Sequence, residues 1–261
     1  MTKLWPKTKL TLIISNIIIY TGIFLFSILA LIIGLIVLGI YKIKPTLYWR
    51  KVIHYLSHLY GRIFLWIIKP WVPVIIPNPE ILHKLAPCVI IANHQSILDL
   101  FLFAAQKETN FSYVMKAWPL KIFFYAPFMR ALDYVVVENK SLADIEEECF
   151  ELLKDGISVV FFPEGTRSRD GQIGKFKSGA FSLALKANVP IVPLFFENSG
   201  QVLPVGSLLF HPKPLKMRFL EPLFTDDFQH DPLAHRTLQK KARSLYQAAT
   251  AKRDASNLKA S

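Results

Sequence analysis

From Leu10 to Tyr41 the chain runs without a charged residue, and this stretch limits what the chain can fold into more than any other feature. A straight helix of that stretch would extend about 48 Å at roughly 1.5 Å per residue, against a bilayer hydrocarbon core about 30 Å thick. It is too long for one upright span and short for two spans with a turn. That leaves a tilted helix or a re-entrant hairpin broken near Gly22 or Gly34. The run is about twice a secretory h-region or more, and no small-residue cleavage site precedes the basic residues that follow, so it is expected to stay attached. Lys42, Lys44, Arg50 and Lys51 on the C-terminal flank outweigh Lys3, Lys7 and Lys9 before it. Excess basic charge marks the cytoplasmic side. The remainder of the chain is therefore expected in the cytoplasm, on an inner or cytoplasmic membrane.

Residues Leu47 to Trp71 mix Trp, Tyr, Ile and Leu with Arg50, Lys51, Arg62 and Lys69. They read as an interfacial amphipathic helix, the alternative being an ordinary surface helix of the core. Lipid contact also fits a chain that is 52% hydrophobic with 20 Phe and 5 Trp. The formal charge of +12 calls for an anionic partner, either nucleic acid or lipid head groups. No Gly-rich phosphate loop, zinc-ligand set or aromatic-basic RNA motif is present, so membrane lipids rather than nucleic acid are the expected partner. The basic tail from His235 onward, with Arg236, Lys240, Lys241, Arg243, Lys252, Arg253 and Lys259, reads as a helix for solvation or membrane attraction. Cys88 and Cys149 read as small core hydrophobes, not a disulfide framework.

With 261 residues, the chain has room for one α/β domain and a small appendage. The expected division is membrane-embedded and interfacial helices over residues 1–75 and a catalytic domain over residues 76–261. After Pro87 short β-branched runs alternate with helical stretches, predicting an α/β fold with a mixed sheet flanked by helices. The strand candidates are Cys88 to Ala92, Tyr113 to Lys116, Tyr134 to Glu138, Ser158 to Phe162, Ile191 to Phe196 and Lys216 to Leu220. The clearest helix runs from Leu142 to Asp155, with Ser141 as N-cap, Asp144 as its capping partner and Gly156 as the stop.

Two polar clusters follow apolar strands, where sites form in α/β domains. The first is Asn93-His94-Gln95-Ser96-Ile97-Leu98-Asp99. A histidine that accepts protons near neutral pH needs its tautomer fixed, and a carboxylate on the other ring nitrogen does this. Positions five apart on one helix differ by about 140°, so His94 should precede the helix carrying Asp99. The second cluster, Pro163-Glu164-Gly165-Thr166-Arg167-Ser168, brings together an acid, a glycine and a guanidinium whose planar fork suits phosphate. Downstream, Lys175 and Lys177 lead into Ser178-Gly179-Ala180, the opening of a helix whose free amides favour an anion. A solvated turn is the bland alternative for this cluster, as a strand-end cap is for the first.

Together these clusters resemble the glycerolipid acyltransferase family that includes the 1-acyl-sn-glycerol-3-phosphate acyltransferases. The resemblance covers roughly Ala86 to Pro193. Its Asn-His-x4-Asp motif is matched by Asn93, His94 and Asp99, which implies His94 as general base and Asp99 as its orienting partner. Its Phe-Pro-Glu-Gly-Thr-Arg-Ser motif is matched from Phe162 to Ser168, which implies acceptor binding by Glu164, Gly165 and Arg167. Val189-Pro190-Ile191-Val192-Pro193 looks like the family's proline-spaced run. The substrate-binding set expected on this basis is Asn93, Lys116, Glu164, Gly165, Thr166, Arg167 and Lys177.

The resemblance implies transfer of a fatty acyl group from acyl-CoA or acyl carrier protein to 1-acyl-sn-glycerol 3-phosphate, giving phosphatidic acid, with no cofactor and no metal. One motif departs from the pattern. Where the family has a glycine, a short strand and an arginine, this chain reads Asp133-Tyr134-Val135-Val136-Val137-Glu138-Asn139. Either Lys116, Arg130 or Lys140 supplies the missing charge, or the acceptor is a lysophospholipid with a larger head group. Two rivals are a serine esterase using Ser96 or Ser178, neither of which sits in a Gly-x-Ser-x-Gly elbow, and a non-catalytic basic membrane scaffold or nucleic-acid-binding protein.

Overall fold

The computed structural model describes residues 8–106, 110–122, 126–132, 134–228 and 231–258. Lys3, Lys7, Asp133 and Lys259 lie outside the described residues. The uncharged stretch forms one unbroken helix, α1 (Lys9–Ile43), about 52 Å long at 1.5 Å per residue. It starts in a capping box in which the Thr8 hydroxyl accepts the Thr11 N–H and the Thr11 hydroxyl accepts the Thr8 N–H. No hairpin break occurs at Gly22 or Gly34.

The chain then folds back along α1 as α2 (Leu47–Ile68). Ser27 and Tyr60 hydroxyls meet at 2.8 Å, Phe26 stacks on Tyr60, and Leu38 clusters with Ile53, which fixes the pair as antiparallel. One side of α2 therefore faces α1 while Phe64, Leu65 and Ile68 join the main core. Tyr48, Tyr55 and Trp66 remain exposed.

The α/β layer follows as β1 (Val74–Ile75), α3 (Glu80–Leu85), β2 (Val89–Ala92), α4 (Leu98–Ala104), β3 (Phe111–Met115), α5 (Ala126–Arg130), β4 (Val135–Val136), α6 (Leu142–Lys154), β5 (Ser158–Phe161), α7 (Gly179–Ala187), β6 (Ile191–Glu197), α8 (Ser199–Val202), β7 (Leu215–Phe219) and α9 (Ala234–Leu258). Among the described residues the strands form one sheet in the order β1-β7-β6-β2-β5-β3-β4. β6 through β4 run parallel, and β7 joins β6 antiparallel. β1 pairs with β7, so the sheet begins just before the residue-76 boundary that the sequence suggested.

Every residue of β2 and β6 is buried, as expected where helices cover both faces of a parallel sheet. The side chains alternate between two cores. Ile90, Ala92, Val160, Val192, Leu194 and Phe196 face α2 and α4. Val89, Ile91, Val159, Ile191 and Phe195 face α6, α7 and α9. The predicted capping box at Ser141 and Asp144 forms, and Gly156 ends that helix region at φ +76°. Cys88 and Cys149 are fully buried, and burial pushes their thiols up to about 11 and about 12.

The basic tail needs a correction. α9 presents Leu238, Ala242, Tyr246 and Ala249 as a buried stripe against the sheet, so it is part of the core and not merely a solvating appendage. The spacing of four, four and three is that of an amphipathic helix. The Tyr246 hydroxyl donates to the Ile91 carbonyl at 2.6 Å and accepts the Leu194 N–H at 3.1 Å, joining β2 and β6 from outside the sheet.

Candidate active site

The carboxyl ends of β2, β5, β3 and β4 share one edge of the sheet, and both polar clusters lie there. His94 lies two residues beyond β2, and Asp99 lies in the first turn of α4. The intervening turn lets the carboxylate reach back: Asp99 Oδ2 meets His94 Nδ1 at 2.9 Å and accepts the Gln95 and Ser96 N–H groups at 2.8 and 3.0 Å. Asp99 is fully buried, whereas the His94 side chain keeps 17% exposure. With Nδ1 engaged, Nε2 is the ring nitrogen left to exchange a proton.

The second cluster is tied to the first through the backbone. Glu164 Oε1 accepts the His94 N–H at 3.1 Å, and Oε2 accepts the Gly174 N–H at 2.9 Å. The Ser168 N–H donates to the His94 carbonyl at 2.7 Å. Burial raises the Glu164 pKa, and the two N–H donors partly offset this. Gly165 sits at φ +70°, a conformation that favours glycine, and Lys177 Nζ lies 2.9 Å from where a Cβ would stand. Glu164, Thr166, Arg167, Arg169 and Lys175 line an open recess of about 600 Å³. Lys177 donates its backbone N–H to the Pro163 carbonyl, which holds the lysine beside this turn.

Other expected site residues have different surroundings. Asn93 is fully buried, with its amide nitrogen donating to the Phe196 carbonyl and its oxygen accepting the Phe196 N–H. It extends the pairing of β2 with β6 and sits beneath the site, so its place among ligand-contacting residues is corrected to that of a brace. Lys116 stands one residue beyond β3 at the same sheet edge. Lys140 pairs with Glu148 on α6. The Glu138 carboxylate, which with Asn139 ends the stretch where the family pattern places an arginine, accepts the Ala117 N–H at 2.6 Å and holds the turn after β3. Ser96 is buried and its hydroxyl donates to the Leu203 carbonyl at 2.8 Å, which removes it as a nucleophile.

Phe162 was not singled out by sequence. Its ring stacks on the His94 imidazole at 4.2 Å between centroids and lies parallel to Tyr113 at 6.4 Å. Its position directly before Pro163-Glu164 was the available signal. Tyr113 is buried, and burial, followed by the proximity of Tyr134 and Asp99, raises its pKa well above the ordinary value.

A family model described as Acyltransferase matches residues 73–197. A chloroplastic 1-acyl-sn-glycerol-3-phosphate acyltransferase of Arabidopsis thaliana is 34% identical over 170 residues, 61% of this chain and 45% of that protein. A probable 1-acyl-sn-glycerol-3-phosphate acyltransferase of Mycoplasma pneumoniae is 35% identical over 154 residues, 54% of this chain and 55% of that protein. The chain thus spans about half the length of the curated relatives it matches. The crystal structure of the 1-acyl-sn-glycerophosphate acyltransferase PlsC from Thermotoga maritima superposes with a TM-score of 0.76 at 22% identity, covering 94% of this chain and 96% of that one. That likeness shows a shared fold.

Proposed function

We propose that this chain, whose residues 73–197 match the Acyltransferase family model, acts as an acyltransferase that moves a fatty acyl group from a thioester donor to the free hydroxyl of 1-acyl-sn-glycerol 3-phosphate at a membrane surface. The observation that carries the reading is the contact between His94 Nδ1 and the buried Asp99 carboxylate. It fixes one tautomer and leaves Nε2 to accept the proton of the acceptor hydroxyl. The freed oxygen attacks the thioester carbonyl, the C–S bond breaks, and the thiolate leaves with the proton returned by His94. Nothing in these steps requires an acyl-enzyme or a cofactor. The donor, acyl-CoA or acyl carrier protein, arrives already activated.

Arg167 is suited to the acceptor phosphate as a planar fork, with Lys177 beside Gly165 and Lys116 at the neighbouring strand end as further cations. Thr166 and Gly165 shape the turn. Glu164 acts as a brace for His94, with both oxygens on backbone N–H groups. A non-catalytic basic scaffold would have no use for a buried carboxylate aligned on a histidine.

The membrane reading rests on α1, which is long and apolar enough to cross a bilayer. Its inner face is fastened to the domain at two distant points. Asn16 bonds the Phe210 backbone, and the Phe128 ring fills the space beside Gly34 while Leu38 packs on Leu132. From residue 16 to residue 38 is about 33 Å along the helix, the full thickness of a hydrocarbon core. An upright helix would carry two parts of one α/β domain to opposite faces. A helix lying along one leaflet, with Ile13, Ile17, Phe24, Leu25, Leu29, Ile32 and Ile36 turned to lipid, avoids that. The basic residues after α1 support a cytoplasmic side for this leaflet.

A lysophospholipid with a larger head group is the second reading, favoured by Glu138 or Asn139 standing where the family pattern has a cation. Acyl transfer by purified protein, with an acyl thioester and either 1-acyl-sn-glycerol 3-phosphate or head-group-bearing lysolipids, separates the two. Turnover at least tenfold faster on the phosphate monoester is expected. The reverse order assigns the enzyme to remodelling, and no turnover on any lysolipid removes the activity.

A further inference from the structure

The segment between α8 and β7 closes on itself as a compact surface loop. The His211 N–H donates to the Val202 carbonyl at 2.7 Å and brings the loop ends together. Inside it, the Ser207 N–H donates to the Pro204 carbonyl, and the Ser207 hydroxyl accepts the Leu209 N–H, each at 3.0 Å. Two further bonds fix its place. The Ser96 hydroxyl, next to His94 and Asp99, donates to the Leu203 carbonyl at the loop's entry. At its exit, Asn16 of α1 grips the Phe210 backbone on both sides: its amide nitrogen donates to the carbonyl at 3.1 Å and its oxygen accepts the N–H at 2.7 Å. The Tyr20 ring lies against Phe210 at 5.6 Å.

Phe210 is buried, but Leu208 at the tip is 76% exposed and Leu209 is 42% exposed. Leu208 and Phe210 are two positions apart in the chain, so their Cα atoms are at most about 7 Å apart. The tip therefore stands beside the first half of α1, where Ile13 and Ile17 are also exposed. A braced loop that holds leucines outward, continuous with a large apolar helix face, needs an apolar partner. His211 and Lys213 follow the tip, and basic groups behind an apolar wedge suit an anionic head-group layer.

We propose that Leu208 and Leu209 insert into the lipid surface as a third membrane contact beside α1 and α2. Through Ser96 and Asn16 this contact would set the height of the His94 edge above the bilayer. The inference rests on the reading of α1 as a lipid-facing helix, and it goes beyond it by assigning a separate element.

The test uses the full chain in anionic phospholipid vesicles, with Leu208→Cys or, in a parallel sample, Ile17→Cys carrying an environment-sensitive fluorophore. Cys88 and Cys149 are buried and should stay unlabelled in the folded protein. The Leu208 label is expected to shift to the blue, to be quenched by nitroxide-bearing lipid and to be shielded from aqueous iodide, as the Ile17 label is. A Leu208 label open to iodide while the Ile17 label is shielded would overturn the proposal and leave the α1 reading intact. Two labels open to iodide would overturn both. In a second measurement, Leu208→Glu with Leu209→Glu should lower recovery with floated vesicles at least about tenfold, a factor within reach of losing one buried leucine. Its turnover in detergent should match the parent. Undiminished flotation would count against the loop contact.

Discussion

Glu164 holds the backbone of His94: Oε1 accepts the His94 N–H at 3.1 Å while Oε2 accepts the Gly174 N–H at 2.9 Å. One carboxylate thus joins the end of β2 to the loop that carries Arg167 and Lys175. Glu164→Ala leaves two N–H groups without their charged acceptor and should destabilise the fold by about 2–3 kcal/mol in chemical or thermal unfolding. An unchanged midpoint would show that the brace is not needed.

The same carboxylate should give stability a pH dependence. Burial raises its pKa, so the folded state holds the Glu164 proton more tightly than the unfolded chain does. That contribution is fully present below about pH 4.3, the ordinary glutamate value, and is lost as pH rises through the raised folded value. Glu164→Gln cannot titrate. The melting-temperature difference, parent minus Glu164→Gln, should therefore fall as pH rises from about 4 towards 7. A difference that grows would give the opposite sign to the pKa shift.

Asp99→Asn keeps an oxygen for the Gln95 and Ser96 N–H groups but removes the charge facing His94. Turnover should fall about 10²–10⁴-fold with the fold retained, because the imidazolium formed during proton transfer loses its partner. A rate within a few-fold of the parent would assign Asp99 to the turn alone. Ser178→Ala, by contrast, should leave turnover unchanged, and its loss would revive a serine nucleophile.

Tyr246→Phe removes the hydroxyl that bridges Ile91 and Leu194 across β2 and β6. With buried strand groups left unpaired, a loss of about 1–2 kcal/mol is expected in unfolding. No change would mean that α9 packs without that link.

What was legible in the sequence was mostly local. The apolar runs of β2, β5 and β6, the Ser141–Asp144 capping box and the backward reach of Asp99 to His94 all follow from patterns within a few residues. The two-residue strands β1 and β4 are too short for any alternation, so β1 went unforeseen and β4 came out shorter than Tyr134 to Glu138. α9 hid its core face because alanines and Tyr246 carry it between lysines and arginines. The amides of Asn16 and Asn93 pair with backbone at Phe210 and Phe196. Such long-range pairings leave no mark in the neighbouring sequence.

His94 as general base can be tested on turnover itself. The most direct measurement is acyl transfer from an acyl thioester to 1-acyl-sn-glycerol 3-phosphate by purified His94→Ala, beside the parent protein at matched folding and membrane recovery. Turnover is expected to fall about 10²–10⁴-fold. A variant that keeps most of the parent rate would contradict that role.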